Sequence, residues 1–250
     1  LIETPNNEHP SAVVFLLENE NPDSYKELDM NKLRFRPAVI SAVVILFVLA
    51  VERPVRSMVT PQSRTIAVEA WEKIINERQP IDKVLQAMGA KPGLCIGEVG
   101  AGTGRVTVWM ADAVGPSGTI YANDIDSAAL KSLQTRCEKE KLTNVRTIIG
   151  TIDDPKFPAG ALDVAFMTNT YHHLDKPIEL VRNIRPALKP DGRLVIVERD
   201  KDRCPSDQRD EATSKADFIK QMDQAGFEVI QVDPSMRVDT IYVARIKATR

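Results

Sequence analysis

From Val55 onward, short apolar runs alternate with stretches whose apolar residues recur every three or four positions. Short apolar runs bounded by turn residues predict buried strands, and the longer recurrence predicts amphipathic helices. The strands expected are 94–99, 119–123, 145–149, 163–167, 193–198, 228–233 and 240–245. The helices expected are 65–78, 81–88, 103–114, 127–141, 177–188 and 215–225, with an irregular crossover after Asp153. Gly89, Gly115-Pro116-Ser117-Gly118, Lys189-Pro190-Asp191-Gly192 and Ala225-Gly226 supply the helix ends and turns. Strand–helix alternation implies parallel strands joined by right-handed crossovers. The last two strands are joined only by Pro234-Ser235-Met236-Arg237 and should pair antiparallel. The expectation is therefore an α/β fold: a doubly wound, seven-stranded, mostly parallel sheet with its last strand antiparallel.

The pattern differs before Val55. Residues 1–36 are mostly polar, with Pro5, Pro10 and Pro22, and residues 1–29 lack the apolar content for a core of their own. Met30 is a candidate start, followed by the basic residues Lys32, Arg34 and Arg36. Residues 37–51 then form an uncharged apolar run. Its length falls below the ~20 residues of a membrane-spanning helix and suits a signal-peptide core, with Val48-Leu49-Ala50 as the cleavage pattern. Signal peptide, short uncleaved anchor and buried helix all remain open. The expected outcome is membrane association through 37–51 with a cytoplasmic catalytic domain; the alternative is export after cleavage. The main domain is expected over 57–250.

Composition narrows the chemistry. A formal net charge of −2 gives no pull towards nucleic acid. Three cysteines without paired spacing (Cys95, Cys137, Cys204) and three histidines predict neither a disulfide framework nor a metal site. Trp71 and Trp109 read as packing residues, and 201–211 as a solvated, mobile loop.

One stretch carries most of the functional information. Glu98-Val99-Gly100-Ala101-Gly102-Thr103-Gly104 falls where a strand passes to a helix, so its backbone can approach a ligand closely. A dinucleotide fingerprint would place glycine at 105, which is Arg105. If the turn holds a nucleoside, a carboxylate should end the next strand to accept from ribose hydroxyls. Asp124 stands there, with Ile125 to pack on a base and Asp126 to cap the following helix.

The acidic-x-G-x-G-x-G pattern resembles the first motif of class I S-adenosylmethionine-dependent methyltransferases. With Asp124, Asp153, Leu162-Asp163-Val164-Ala165-Phe166 and Leu188-Lys189-Pro190-Asp191-Gly192-Arg193-Leu194, the order and spacing of that family are followed over about residues 60–250. Asp191 and Thr151 depart from it, where a glycine and an Asp are usual. The resemblance implies a Rossmann-like fold, S-adenosyl-L-methionine as cofactor and methyl transfer to a small-molecule acceptor. Glu98, Gly100, Ala101, Gly102, Gly104, Asp124, Ile125 and Asn169 would bind the cofactor. Ile152 would offer its backbone, and Asp153 its carboxylate, to adenine, with Asp154, one residue on, as the competing carboxylate. A nucleoside-binding scaffold without turnover is the alternative, and a nicotinamide-dependent oxidoreductase a more distant one.

In an open α/β sheet, ligands gather beyond the carboxyl ends of the strands. This puts Asn169 to His173 at the reacting end of the site, with Tyr171, His172 and His173 as candidate catalytic residues. A histidine can act as general base if the acceptor carries a proton. Glu198, Arg199 and Asp200 end the next strand and are candidates to line the acceptor pocket.

Overall fold

A seven-stranded sheet between helices organises the computed structural model, which describes residues 61–206, 209 and 212–248, with side chains from Val68 onward. In chain order the elements are α1 (Pro61–Arg78), α2 (Ile81–Met88), β1 (Cys95–Val99), α3 (Thr107–Val114), β2 (Thr119–Asp124), α4 (Ser127–Glu140) and β3 (Val145–Ile149). They continue as β4 (Leu162–Thr168), α5 (Pro177–Ile184), β5 (Leu188–Arg199), α6 (Lys215–Gln224), β6 (Phe227–Asp233) and β7 (Asp239–Ile246). Single 3₁₀ turns span Tyr171–His173 and Arg185–Ala187. The sheet order is β3-β2-β1-β4-β5-β7-β6. β1 to β5 run parallel, and β7 pairs antiparallel with both β5 and β6. The α/β architecture and the antiparallel last strand are as expected. Segments 1–36 and 37–51 lie outside the described residues, and among those described no helix is long and apolar enough to cross a membrane.

The central strands are largely apolar because both faces are covered. Alternate residues of β4 divide between the layers: Val164 and Phe166 pack with Val84, Met88, Met110 and Val114 of α2 and α3. Ala165 and Met167 pack with Leu180 and Ile184 of α5 and Phe218 and Met222 of α6. Leu130, Leu133 and Cys137 of α4 meet Ala122 on β2. Each large side chain buried this way is worth about 1.5–3 kcal/mol.

Boundaries shift where local geometry overrides the pattern. α3 starts at Thr107, four residues later than periodicity suggests, because the turn continues through Gly104 at φ +93°. α5 ends at Ile184, since Pro186 follows within one turn. β5 starts at Leu188: the Lys189-Pro190-Asp191-Gly192 turn forms an irregularity inside the strand, with Leu162 opposite Leu188 and Val164 opposite Arg193.

Candidate functional site

The chain runs from β1 outward to β2 and β3, then returns to the other side of β1 as β4. Loops leaving the carboxyl ends of β1 and β4 are therefore neighbours, and the crevice between them is the place for a ligand. Their approach is close: a Cβ on Gly100 would stand 2.4 Å from Thr170 Oγ1. Gly100, Gly102 and Gly104 have φ of +72°, +55° and +93°, values that favour glycine. The three differ in what a side chain would meet. At Gly104 a Cβ would strike Leu133 Cδ1 at 2.4 Å, whereas at Gly102 nothing lies within 4 Å. Gly104 is thus required for packing, and Gly102 leaves its backbone open to the crevice.

Asp124, at the end of β2, ties the turn in place. Its Oδ2 accepts from the Gly102 N–H at 2.8 Å and its Oδ1 from the Asp126 N–H at 2.9 Å. A carboxylate has about four acceptor sites, so each oxygen keeps capacity for a ligand hydroxyl. Asp126 caps α4 as expected, accepting from the Ala128 N–H at 2.8 Å.

The crevice has two lobes that meet at Gly100, Asn169 and Thr170. The first, about 320 Å³, is lined by Asp124, Ile125, Thr151, Ile152, His173 and Leu174 among others. Ile125 is 65% exposed and Ile152 43% exposed, so two large apolar side chains stand open at its wall. The second lobe, about 310 Å³, is lined by Trp71, Glu98, Ala101, Gly102, Thr103, Arg105 and Thr168 among others. Glu98 is buried and its carboxyl accepts from the Thr107 hydroxyl. Burial raises that carboxyl to about pH 7, against the lowering effects of Thr107 and Arg105.

Polar side chains from the end of α1 brace the floor of the second lobe. Arg105 donates to Asn76 Oδ1 at 3.0 Å and to Gln79 Oε1 at 2.9 Å. Gln79 Oε1 also accepts from Thr168 Oγ1 at 3.2 Å and Asn169 Nδ2 at 3.2 Å, while Gln79 Nε2 and Arg78 Nη2 donate to Asn169 Oδ1 at 3.0 and 2.8 Å. Arg78 Nε further stands 2.8 Å from Asp239 Oδ2 at the start of β7. Asn169 occupies the left-handed region at φ +50° and joins both lobes.

The three residues after Thr170 separate. Tyr171 lines neither lobe: it is buried, donates its hydroxyl to Gln221 Oε1 at 2.6 Å and packs on Phe218 with ring centroids 5.0 Å apart. Burial pushes its hydroxyl pKa upward. His173 forms part of the first lobe's wall. His172 stacks behind it at 3.9 Å between centroids, with Nδ1 2.6 Å from Glu198 Oε1 and its backbone N–H donating to Glu198 Oε2 at 3.3 Å. Glu198 is thus a partner of His172.

Other expected residues fall unevenly. Gly100, Ala101, Gly102, Glu98, Asp124, Ile125, Ile152 and Asn169 all line a lobe, whereas Gly104 acts from beneath. Asp153 is turned elsewhere. Thr151 Oγ1 donates to it at 3.0 Å and Lys176 Nζ at 3.4 Å, and these bonds hold its carboxyl below the ordinary range. Trp71, read from sequence as packing, borders the second lobe. Of the loop 201–211 expected to be solvated and mobile, 207–208 and 210–211 lie outside the described residues, and Lys201, Asp202, Pro205, Ser206 and Arg209 are exposed, while others are anchored. Cys204 is buried, Asp200 bridges to Thr213, and Arg203 donates to the carbonyls of Pro234, Met236 and Asp239. Asn76, Arg78, Gln79, Arg105 and Thr168 carried no sequence signal, apart from Arg105 following the glycines.

Known proteins resemble this chain in sequence and fold. Residues 97–196 match the family model described as a methyltransferase domain. The nocamycin O-methyltransferase of Saccharothrix syringae is 32% identical over 115 residues, 46% of this chain and 41% of that protein. The demethylmenaquinone methyltransferase of Lactococcus lactis is 28% identical over 116 residues, 46% of each. Both matches span under half the length of the relative. Among solved structures, an S-adenosylmethionine-dependent methyltransferase from Aquifex aeolicus superposes with a TM-score of 0.62 at 25% identity, covering 67% of this chain and 89% of that one.

Proposed function

We propose that this chain is a class I S-adenosylmethionine-dependent methyltransferase, its residues 97–196 matching a methyltransferase-domain model, and that it transfers the cofactor's methyl group to a small-molecule acceptor. The observation that carries the reading is the first lobe: Asp124 beside the glycine turn, flanked by the open Ile125 and Ile152. A nucleoside needs those features, namely an acceptor for ribose hydroxyls and apolar faces for the base. Gly102, with open space where a Cβ would stand, suits close approach of the backbone to the same ligand. Glu98 at the second lobe is the carboxyl available to an ammonium group.

Bound there, S-adenosylmethionine supplies a methyl made electrophilic by a positively charged sulfur. The residues of the chain hold and orient, and the surrounding apolar wall excludes water. Where the acceptor carries a proton, His173 at the lobe wall is the group to receive it, with His172 and Glu198 bracing its ring from behind. The acceptor classes named for the two curated relatives support a small molecule rather than a macromolecule.

Calorimetry on the full chain with S-adenosylmethionine, S-adenosylhomocysteine and NAD tests the cofactor. Both sulfur nucleosides should bind and NAD should not; NAD binding alone would overturn the reading. Methyl-labelled cofactor incubated with small-molecule and macromolecular fractions of an extract then tests the acceptor. Label should enter the small-molecule fraction. Binding without any transfer would favour a scaffold.

A further inference from the structure

Trp71 and Ile75 lie four residues apart on helix α1, and Gln79 follows four further on, one residue past the helix end with its N–H donating to the Ile75 carbonyl at 2.7 Å, so the three form one row. Ile75 is 8% exposed and Gln79 0%, which identifies the row as the face turned to the domain. Trp71 lies on that same row yet is 49% exposed, because it reaches past the packed floor to the rim of the second lobe. The helix is pinned on both sides of the crevice. Arg136 of α4 pairs with Glu72 at 2.7 Å, and Arg78 with Asp239 of β7 at 2.8 Å. A half-exposed indole at the rim of the second lobe, with little protein against it, is a contact surface for a ligand.

We propose that Trp71 is the roof of the second lobe and closes on the amino-acid tail of the cofactor. This rests on the methyltransferase reading and adds a residue to it. The first lobe carries the nucleoside features, so a ligand crossing Gly100, Asn169 and Thr170 places its remaining portion in the second. That lobe is lined by the Glu98 carboxyl and the Arg105 guanidinium, partners for the ammonium and carboxylate of a zwitterionic tail, and by the Trp71 indole, whose face suits a cationic centre. The aromatic contact and the nucleoside contacts are therefore separable, which makes the assignment testable.

The chain has two tryptophans, so in the full-length Trp109→Phe variant Trp71 is the sole indole reporter. Titration with S-adenosylhomocysteine should change its emission, while 5′-methylthioadenosine, which shares the nucleoside but lacks the amino-acid tail, should bind and leave it unchanged. Calorimetry on Trp71→Ala should show about a tenfold loss of affinity for S-adenosylhomocysteine and less than about a twofold change for methylthioadenosine. Trp71→Phe should recover part of the loss. If S-adenosylhomocysteine binds the wild type but neither the emission nor the Trp71→Ala affinity responds, the roof is overturned and the methyltransferase reading stands. Equal responses to both ligands would also overturn it, because Trp71 would then sense the nucleoside. Failure of the wild type to bind either sulfur compound would remove the premise and the roof with it.

Discussion

Glu98 shows how much one buried group can determine. Its neighbours offer the Thr107 hydroxyl and the charge of Arg105, yet desolvation outweighs both and its pKa rises from 4.5 to about 7. Below pH ~4.5 the carboxyl is protonated in both folded and unfolded chains, and folding carries no ionisation cost. Between there and about pH 7 the unfolded chain ionises while the folded one stays protonated, so stability falls as pH rises. The total loss is on the order of 3 kcal/mol, since one pKa unit is worth about 1.4 kcal/mol. Glu98→Gln removes this titration. Relative to wild type, it should gain about 3 kcal/mol between pH 5 and pH 8 in urea unfolding. A difference that stays constant over that range would rule out the raised carboxyl. Asp124 shows the opposite design: half-exposed, it is held by two backbone N–H groups and remains open to a ligand.

Elements are set in place here by a few polar side chains as much as by apolar packing. Arg203 is the plainest case. Its Nη atoms donate to the carbonyls of Pro234, Met236 and Asp239 at 2.6, 2.7 and 2.5 Å and to Thr240 Oγ1 at 2.6 Å, and its Nε to Asp200 Oδ2 at 3.1 Å. One fork thus joins the segment after β5 to the β6–β7 connection, beside the strand ends that face the crevice. Arg203→Ala should cost about 3 kcal/mol in denaturant unfolding, because several acceptors lose a charged donor together. Arg203→Lys should not restore it, since an ammonium lacks the planar fork. A loss below about 0.5 kcal/mol would show that the loop holds itself. Helix α1 depends on the same device, with Asn76, Arg78 and Gln79 reaching Arg105, Thr168 and Asn169.

For the whole molecule, ligand and fold are one equilibrium. A compound that binds only the folded chain stabilises it by RT ln(1 + [L]/Kd), about 2.7 kcal/mol at a hundredfold excess over Kd. S-adenosylhomocysteine at that excess should raise Tm by about 5–11 °C for a domain of this size, with NAD giving none. An equal shift from NAD would contradict the proposed ligand. At this scale the sequence is a strong guide to the fold and a partial one to the site. Six predicted helices and seven predicted strands reappear as α1–α6 and β1–β7, because burial on both faces of a parallel sheet leaves its mark as periodicity. The glycine turn and Asp124 were equally legible, since a left-handed turn and a strand-end carboxylate are local requirements. Tyr171, Trp71 and Asp153 were not. Whether a side chain enters the core, overhangs the crevice or turns to a lysine depends on partners 23 to 50 residues distant, such as Lys176 and Gln221. The sequence by itself therefore determined the sheet and the glycine turn, through rules that act over a few residues. Only the tertiary structure decided which residues wall the crevice, because that depends on crossovers bringing the ends of α1, β4, β5 and β7 together.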